Sequence, residues 1–249
     1  MSYNEIELGV IMKVAWIIIF IIFIFLTLPS SGLVANDLSA QYCLSQNNWK
    51  NLYSKNGITV YSQKAPDSDV LALKAIGILK APLDQILEVL RKVEISKEWI
   101  PNIDNKILVK EFSDIETITY SVNVVPWPFA DRALLLYNKL RLDREKKYLV
   151  VEIHSVDPDT NPIKEDHVRA NLYCGQMILR PKDIGQTEVE LTLFVDPRGH
   201  IPTWLFNMAQ KSLPYDFLRA LEEKASRTSY KLRPSFKEML DQLISLLRN

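Results

Sequence analysis

"GHIPTWLFNMAQKSLPYDFLRALEEKASR" (Gly199–Arg227) reads as one long helix, because good helix formers dominate and apolar residues recur every three or four positions. Pro214 stands in its middle, where it removes a backbone donor and crowds the preceding turn. The apolar residues also change sides. At roughly 100° per residue, Ile201, Trp204, Leu205, Met208 and Tyr215 cluster on one side, and Leu213, Phe217, Leu218, Leu221 and Ala225 on the opposite one. A helix packed flat on an ordinary core keeps one stripe. Two stripes predict a helix that covers a core along one part and a cavity along another.

Working outward, the chain before this helix supplies a sheet. "QNNWKNLYSKNGITVYSQ" (46–63) predicts a short helix, a turn at Gly57 and a strand; "VLALKAIGILK" (70–80) is a second strand. A helix starts at Pro82, a residue suited to a first helical turn, and runs through "PLDQILEVLRKVEISKEW" until Pro101 stops it. From Lys106 to Asp196 the pattern is about six strands with short polar links, which makes consecutive strands antiparallel neighbours. "PSFKEMLDQLISLLRN" (234–249) closes the chain as an amphipathic helix. Strands that run together define an α+β fold. The expectation is a curved antiparallel sheet of about eight to nine strands wrapped around the long C-terminal helix.

Three segments carry a more specific signal: "PWPFADRALLLY" (126–137), "HVRANLYCGQMIL" (167–179) and "GHIPTWLFNMAQKSLPYDFLRALEE" (199–223). In order and spacing they resemble the START (StAR-related lipid transfer) domain family of bacterial type, over about Trp49 to Arg227. The resemblance implies a helix-grip fold with a tunnel for one lipid, no catalytic residues and no cofactor. Together with the polar residues that interrupt apolar strands, Asn138, Arg169, Asn171 and Tyr173, it gives a ligand-binding set of Ser121, Leu134, Leu136, Asn138, Arg169, Asn171, Tyr173, Trp204 and Met208. Family members that hold a choline headgroup use aromatic residues and an acid–Arg pair. The matching positions here are Ser96, Ile100, Ser121 and Leu134, with only Tyr173 aromatic, so a sterol-like or acyl ligand fits better than a choline lipid. One conflict stands. The match turns Ser121 toward the cavity, yet Ile118, Tyr120, Val122 and Val124 form the apolar set of the same strand, so either a bulge intervenes or the alignment is off by one.

Composition bounds the rest. Thirty basic and thirty acidic residues cancel, which argues against a nucleic-acid partner, and seven glycines leave little for phosphate-cradling loops. The uncharged run "VAWIIIFIIFIFLTL" (14–28), with Lys13 before it and small residues after it, reads as a secretory signal peptide or as a membrane anchor. The true start is then expected at Met12, and the rest lies outside the cytoplasm. The domains expected are residues 1–35 as signal or anchor, 36–228 as the lipid-binding unit, and 229–249 as a helical extension of a monomer. Cys43 and Cys174 either pair or leave Cys174 as a buried thiol.

No nucleophile elbow, zinc-protease motif or dinucleotide fingerprint occurs, and His154, His167 and His200 are scattered, so no metal site is expected. The acidic run at Asp157, Asp159, Glu165 and Asp166 reads as a solvated loop. Arg169 is expected to meet either a headgroup or a structural partner such as Glu152, and Asn138 either the ligand or solvent. "RLDREKKY" (141–148) is either the family's cavity-covering loop or an ordinary charged hairpin, and Trp127 is expected to be a packing anchor. Two other functions are open: a helix-grip enzyme using Arg169 or His154 to polarise a carbonyl, and an anchored module whose last helix docks a partner.

Overall fold

The computed structural model describes residues 48–65, 68–157 and 167–248, all within one compact unit that runs from Asp37 to Asn249. Residues 1–35, Cys43, Asp159, Glu165 and Asp166 lie outside the described residues.

Among the described residues ten strands follow in chain order: β1 (Lys50–Lys55), β2 (Ile58–Lys64), β3 (Leu71–Leu79), β4 (Ile103–Ser113), β5 (Glu116–Asn123), β6 (Arg132–Asp143), β7 (Tyr148–Ser155), β8 (Val168–Arg169), β9 (Asn171–Asp183) and β10 (Gln186–Asp196). They form one sheet in the order β1-β2-β3-β10-β9-β7-β6-β5-β4, with antiparallel neighbours throughout. The two-residue β8 lies beside β6 in parallel and brings the count just above the expected eight to nine.

The helix expected at the start is a strand. Asn56 and Gly57 both have positive φ, 49° and 77°, and close a two-residue hairpin between β1 and β2. Asn-Gly favours that turn, whose twist matches the strands it joins, and it overrides the local helical pattern of 46–55. The helix after Pro82 is α1 (Leu83–Arg91); a 3-10 turn (Val93–Ile95) then separates it from the single turn α2 (Ser96–Trp99).

The decisive stretch also divides. It forms α3 (Thr203–Gln210) and α4 (Leu213–Ser226), joined at Lys211 and Ser212. Both joining residues keep near-helical angles, but Pro214 has no N–H for the Gln210 carbonyl, and it serves the first turn of α4, where no donor is needed. The two apolar stripes therefore belong largely to two helices. Tyr215, Leu218, Leu221 and Ala225 of α4 are buried in the main core with Val60, Ala75, Leu179 and Val189, and α4 packs on β2 and β3. In α3, Trp204 and Met208 are exposed. The last helix, α5 (Pro234–Arg248), sinks Phe236 and Leu243 into that same core and rests on α1, so it is a wall of the domain.

Close packing of the sheet makes a sharp demand at Gly175. A Cβ on Gly175 would stand 2.8 Å from Leu172 Cδ2 and 2.9 Å from the Ile153 carbonyl oxygen. The backbone oxygen has nowhere to go, so Gly175→Ala is expected to cost about 1–3 kcal/mol, read as a lowered urea midpoint.

On the outer face, Cys174, Phe194, Ala72, Ala65 and Val70 form a separate cluster, flanked by Trp49 and Phe206. Cys174 is disulfide-bonded, which sets aside the buried free thiol.

Candidate functional site

Residues opposite each other in an antiparallel ladder share a face, so the register defines what lines the concave side. One row runs Gly77, Val189, Leu179, Leu149, Leu142 and the next Ala75, Leu191, Met177, Val151, Leu140. These rows are apolar, and most of their members are buried in the main core. Further along the strands the character changes. Leu193, Gly175, Ile153, Asn138 and Thr117 come next, followed by Ser155, Leu136, Thr119 and Leu108, then Leu134, Ser121 and Lys106.

In these last rows the accessibility of β6 is inverted. Leu134, Leu136 and Asn138 are half-buried on the concave side, although β6 lies inside the sheet. Ala133 and Leu135, on the outer face of the same strand, are 0% and 1% exposed. A side chain pointing into a filled core from mid-sheet would be sealed, as Leu149 and Leu179 are. The accessible part of the concave side is therefore on β6 and β7, away from the α4 contact, with Thr117, Thr119 and Ser121 of β5 buried beside it.

This geometry resolves the conflict over Ser121. The β5–β6 register is unbroken, and Ser121 faces the concavity opposite Leu134. Ile118, Tyr120 and Val122 face outward and are buried with Ala133 and Leu135 in their own cluster. The strand is covered on both faces, so neither a bulge nor a slipped alignment is needed.

The structure thus brings four of the expected residues together: Ser121, Leu134, Leu136 and Asn138. Asn138 is no solvent position; its Nδ2 donates to Thr119 Oγ1 at 3.1 Å and to the Leu136 carbonyl at 3.0 Å. Tyr173 goes elsewhere. The ladder slips between Phe194 and Val195, and in that bulge Tyr173 stacks on Phe194, ring centroids 5.3 Å apart, on the outer face. Leu172 takes the inward position, beside Gly175 and Ile153. Asn171, opposite Asp196, lies on the other side of the strand from Leu172, and Arg169 sits in β8 opposite Ala133. The Arg169–Glu152 pairing is not formed, because Glu152 accepts from Arg141 Nε at 3.1 Å. Trp204 and Met208 are 69% and 59% exposed on α3.

His154 faces outward, against Tyr137 with centroids 5.0 Å apart, and burial holds its pKa below the ordinary histidine value. It has no line to the concavity. "RLDREKKY" is the charged hairpin between β6 and β7: the Lys146 amide donates to Asp143, and Arg144 reaches Gln242 of α5. Trp127 is not a packing anchor. It is 92% exposed in the loop between β5 and β6.

That loop is tied to the approach to α3. Arg132, 5% exposed, donates from Nε to the Pro197 carbonyl at 3.0 Å and from Nη2 to the Arg198 carbonyl at 2.9 Å, while Nη1 donates to Ala130. Asp131 accepts from the Val125 amide at 3.0 Å. The exposed Trp127 and the segment leading to Trp204 are thus held at the same end of the sheet, the end toward which the concavity opens.

Lys106 was missed by sequence reasoning. In "KILVKEFS" it looks like one more surface charge, and only the pairing of β4 with β5 reveals that it lies opposite Ser121.

A curved antiparallel sheet packed around α4, with the concave side of β6 only half covered, defines a helix-grip protein. The chain belongs to the START domain family, whose model matches residues 31–227. It is 27% identical over 180 residues to an uncharacterised protein of Pseudomonas aeruginosa, covering 72% of this chain and 87% of that one. It is 26% identical to mouse phosphatidylcholine transfer protein, covering 69% of this chain and 80% of the relative. Among solved structures, a STAR-related lipid transfer protein fragment from Xanthomonas axonopodis is 28% identical with a TM-score of 0.63, covering 71% of this chain and 98% of the fragment. Human STARD10, 19% identical with a TM-score of 0.66 over 88% of this chain and 90% of its own, shares the fold.

Proposed function

We propose that the protein is a non-enzymatic lipid-binding domain that holds one lipid in the concavity of β5, β6 and β7 and exchanges it with membranes outside the cytoplasm. The carrying observation is the half-open concave face of β6 opposite a sealed outer face. The names of the mouse and Xanthomonas relatives support a lipid as the ligand. The apolar run 14–28 supports export, with or without a retained anchor. His154, one of the two residues an enzymatic reading would use, is turned to the other face.

Exposed Trp127, Trp204, Met208 and Leu213 support a transient membrane contact at the open end. Tryptophan is favoured at the membrane–water interface, with its apolar body inserted and its N–H wet.

The test is native mass spectrometry and organic extraction of the protein purified in non-denaturing buffer. One bound lipid per chain is the expected result; an empty protein that gains no thermal stability from fatty acids, sterols or phospholipids overturns the proposal. For the membrane contact, each inserted aromatic contributes about 1.5–3 kcal/mol, so Trp127→Ala with Trp204→Ala is expected to slow lipid transfer between vesicles at least about tenfold. Binding of lipid in solution should survive those changes.

A further inference from the structure

We propose that Lys106 seats the anionic group of the bound lipid, a carboxylate or a phosphate, at the open end of the concavity. This rests on the lipid-binding reading and names the chemical class of its ligand.

Lys106 stands on β4 opposite Ser121, which stands opposite Leu134 on β6, so the three share the concave face. The lysine is half-buried and has no hydrogen-bond or ion-pair partner among the described residues. Several strand lysines meet a carboxylate, Lys74 with Glu190 at 3.0 Å, Lys139 with Glu116 at 3.2 Å and Lys182 with Glu188 at 2.7 Å, and Lys55 and Lys110 lie over aromatic rings. Lys106 has a serine across from it instead. The nearby acids are engaged elsewhere, Asp104 with Lys97 at 3.1 Å and Asp131 with the Val125 amide.

The ladder sets donors on the face that Lys106 shares, Ser121 directly opposite it and Thr119 two residues along. Ser121 Oγ accepts from Asn123 Nδ2 at 3.4 Å, and Thr119 Oγ1 accepts from Asn138, so both hydroxyl protons are left to give. Loss of hydration pulls the Lys106 pKa down to about 8, the mark of a cation whose lost water nothing replaces. An anionic oxygen placed among these donors restores the charge and satisfies the hydroxyls. A quaternary ammonium would find neither acid nor aromatic cage in this row, where Ser121 and Leu134 flank the lysine.

The experiment uses the full-length chain and displacement of a neutral fluorescent dye, Nile red, by matched pairs: oleate against methyl oleate, and dioleoyl phosphatidic acid against dioleoylglycerol. At least one anionic member is expected to bind tenfold or more tightly than its neutral partner, with the preference erased in K106M and kept in K106R. A preference for oleate alone assigns a carboxylate, and one for phosphatidic acid alone assigns a phosphate. Equal affinities within both pairs, or a preference that survives K106M, overturns the Lys106 assignment and leaves lipid binding standing. Displacement by none of the four overturns both. Melting temperatures of the variants establish that each is folded, and K106M is expected to melt no lower than the parent, because it removes a desolvated charge.

Discussion

Arg132→Met is expected to lose about 3 kcal/mol of stability, read as a urea midpoint shift, because it strands three carbonyls at roughly 1 kcal/mol or more each. The guanidinium is buried, and what it meets is the carbonyls of Ala130, Pro197 and Arg198. Desolvation lowers its pKa from the ordinary arginine value, with Asp131 opposing, yet the group remains charged. Lysine should not rescue it, since one ammonium cannot present a planar fork to carbonyls on two separate segments. Gly199 belongs to the same device: at φ +68° it turns the chain under Arg132, where a Cβ would lie 3.2 Å from Nη2. Beyond stability, the change frees the Trp127 loop from the approach to α3. Lipid exchange in Arg132→Met should therefore be faster at temperatures where the protein is still folded.

The second large effect lies at the opposite end of the domain. Arg233 donates from Nη1 and from its backbone amide to the carboxylate of Glu88, whose side chain is 1% exposed. Arg233→Ala leaves that carboxylate buried without its counter-ion, at a cost of about 3–5 kcal/mol in urea unfolding. The double replacement Glu88→Leu with Arg233→Leu is expected to recover most of the loss, because no charge is then left buried. Recovery would show that the pair positions α5 against α1 more than it stabilises the fold. Equal loss in single and double variants would instead assign the stabilisation to the pair itself.

Much of the architecture was legible in residue pattern. The antiparallel order, the helix at Pro82, the amphipathic last helix and the family resemblance all hold. The failures have local causes. At 46–55 helical spacing competed with the Asn56-Gly57 turn, and the turn won because it matches strand twist. In the long C-terminal helix the change of face at Pro214 was visible, but that it separates two helices depends on a carbonyl with no donor four residues on. On the concave face, Asn138 was readable because a polar residue interrupts an apolar strand, whereas Ser121 and Leu134 came from matching positions of the family. Tyr173 was misplaced because a one-residue bulge between β9 and β10 leaves no mark in composition. Trp127 between two prolines looked like packing, and nothing in its neighbours betrays exposure. Lys106 could not be found without strand pairing, since a lysine in an edge strand looks the same on either face.

The division into α3 and α4 separates two kinds of attachment. α4 is held by burying Leu218, Leu221 and Ala225, each 0% exposed, so lifting it would breach the core. α3 is held with fewer apolar contacts, Phe206 against the outer cluster, and with polar ones: Asn207 accepts from the Leu71 amide at 2.9 Å and donates to the Asp69 carbonyl at 2.8 Å, and Gln210 donates to the Leu71 carbonyl at 3.1 Å. Such bonds can be traded for water at little net expense, whereas buried leucines cannot. The keystone and the hinged piece are thus separate parts of one continuous span, the first fixed by leucines and the second by amides.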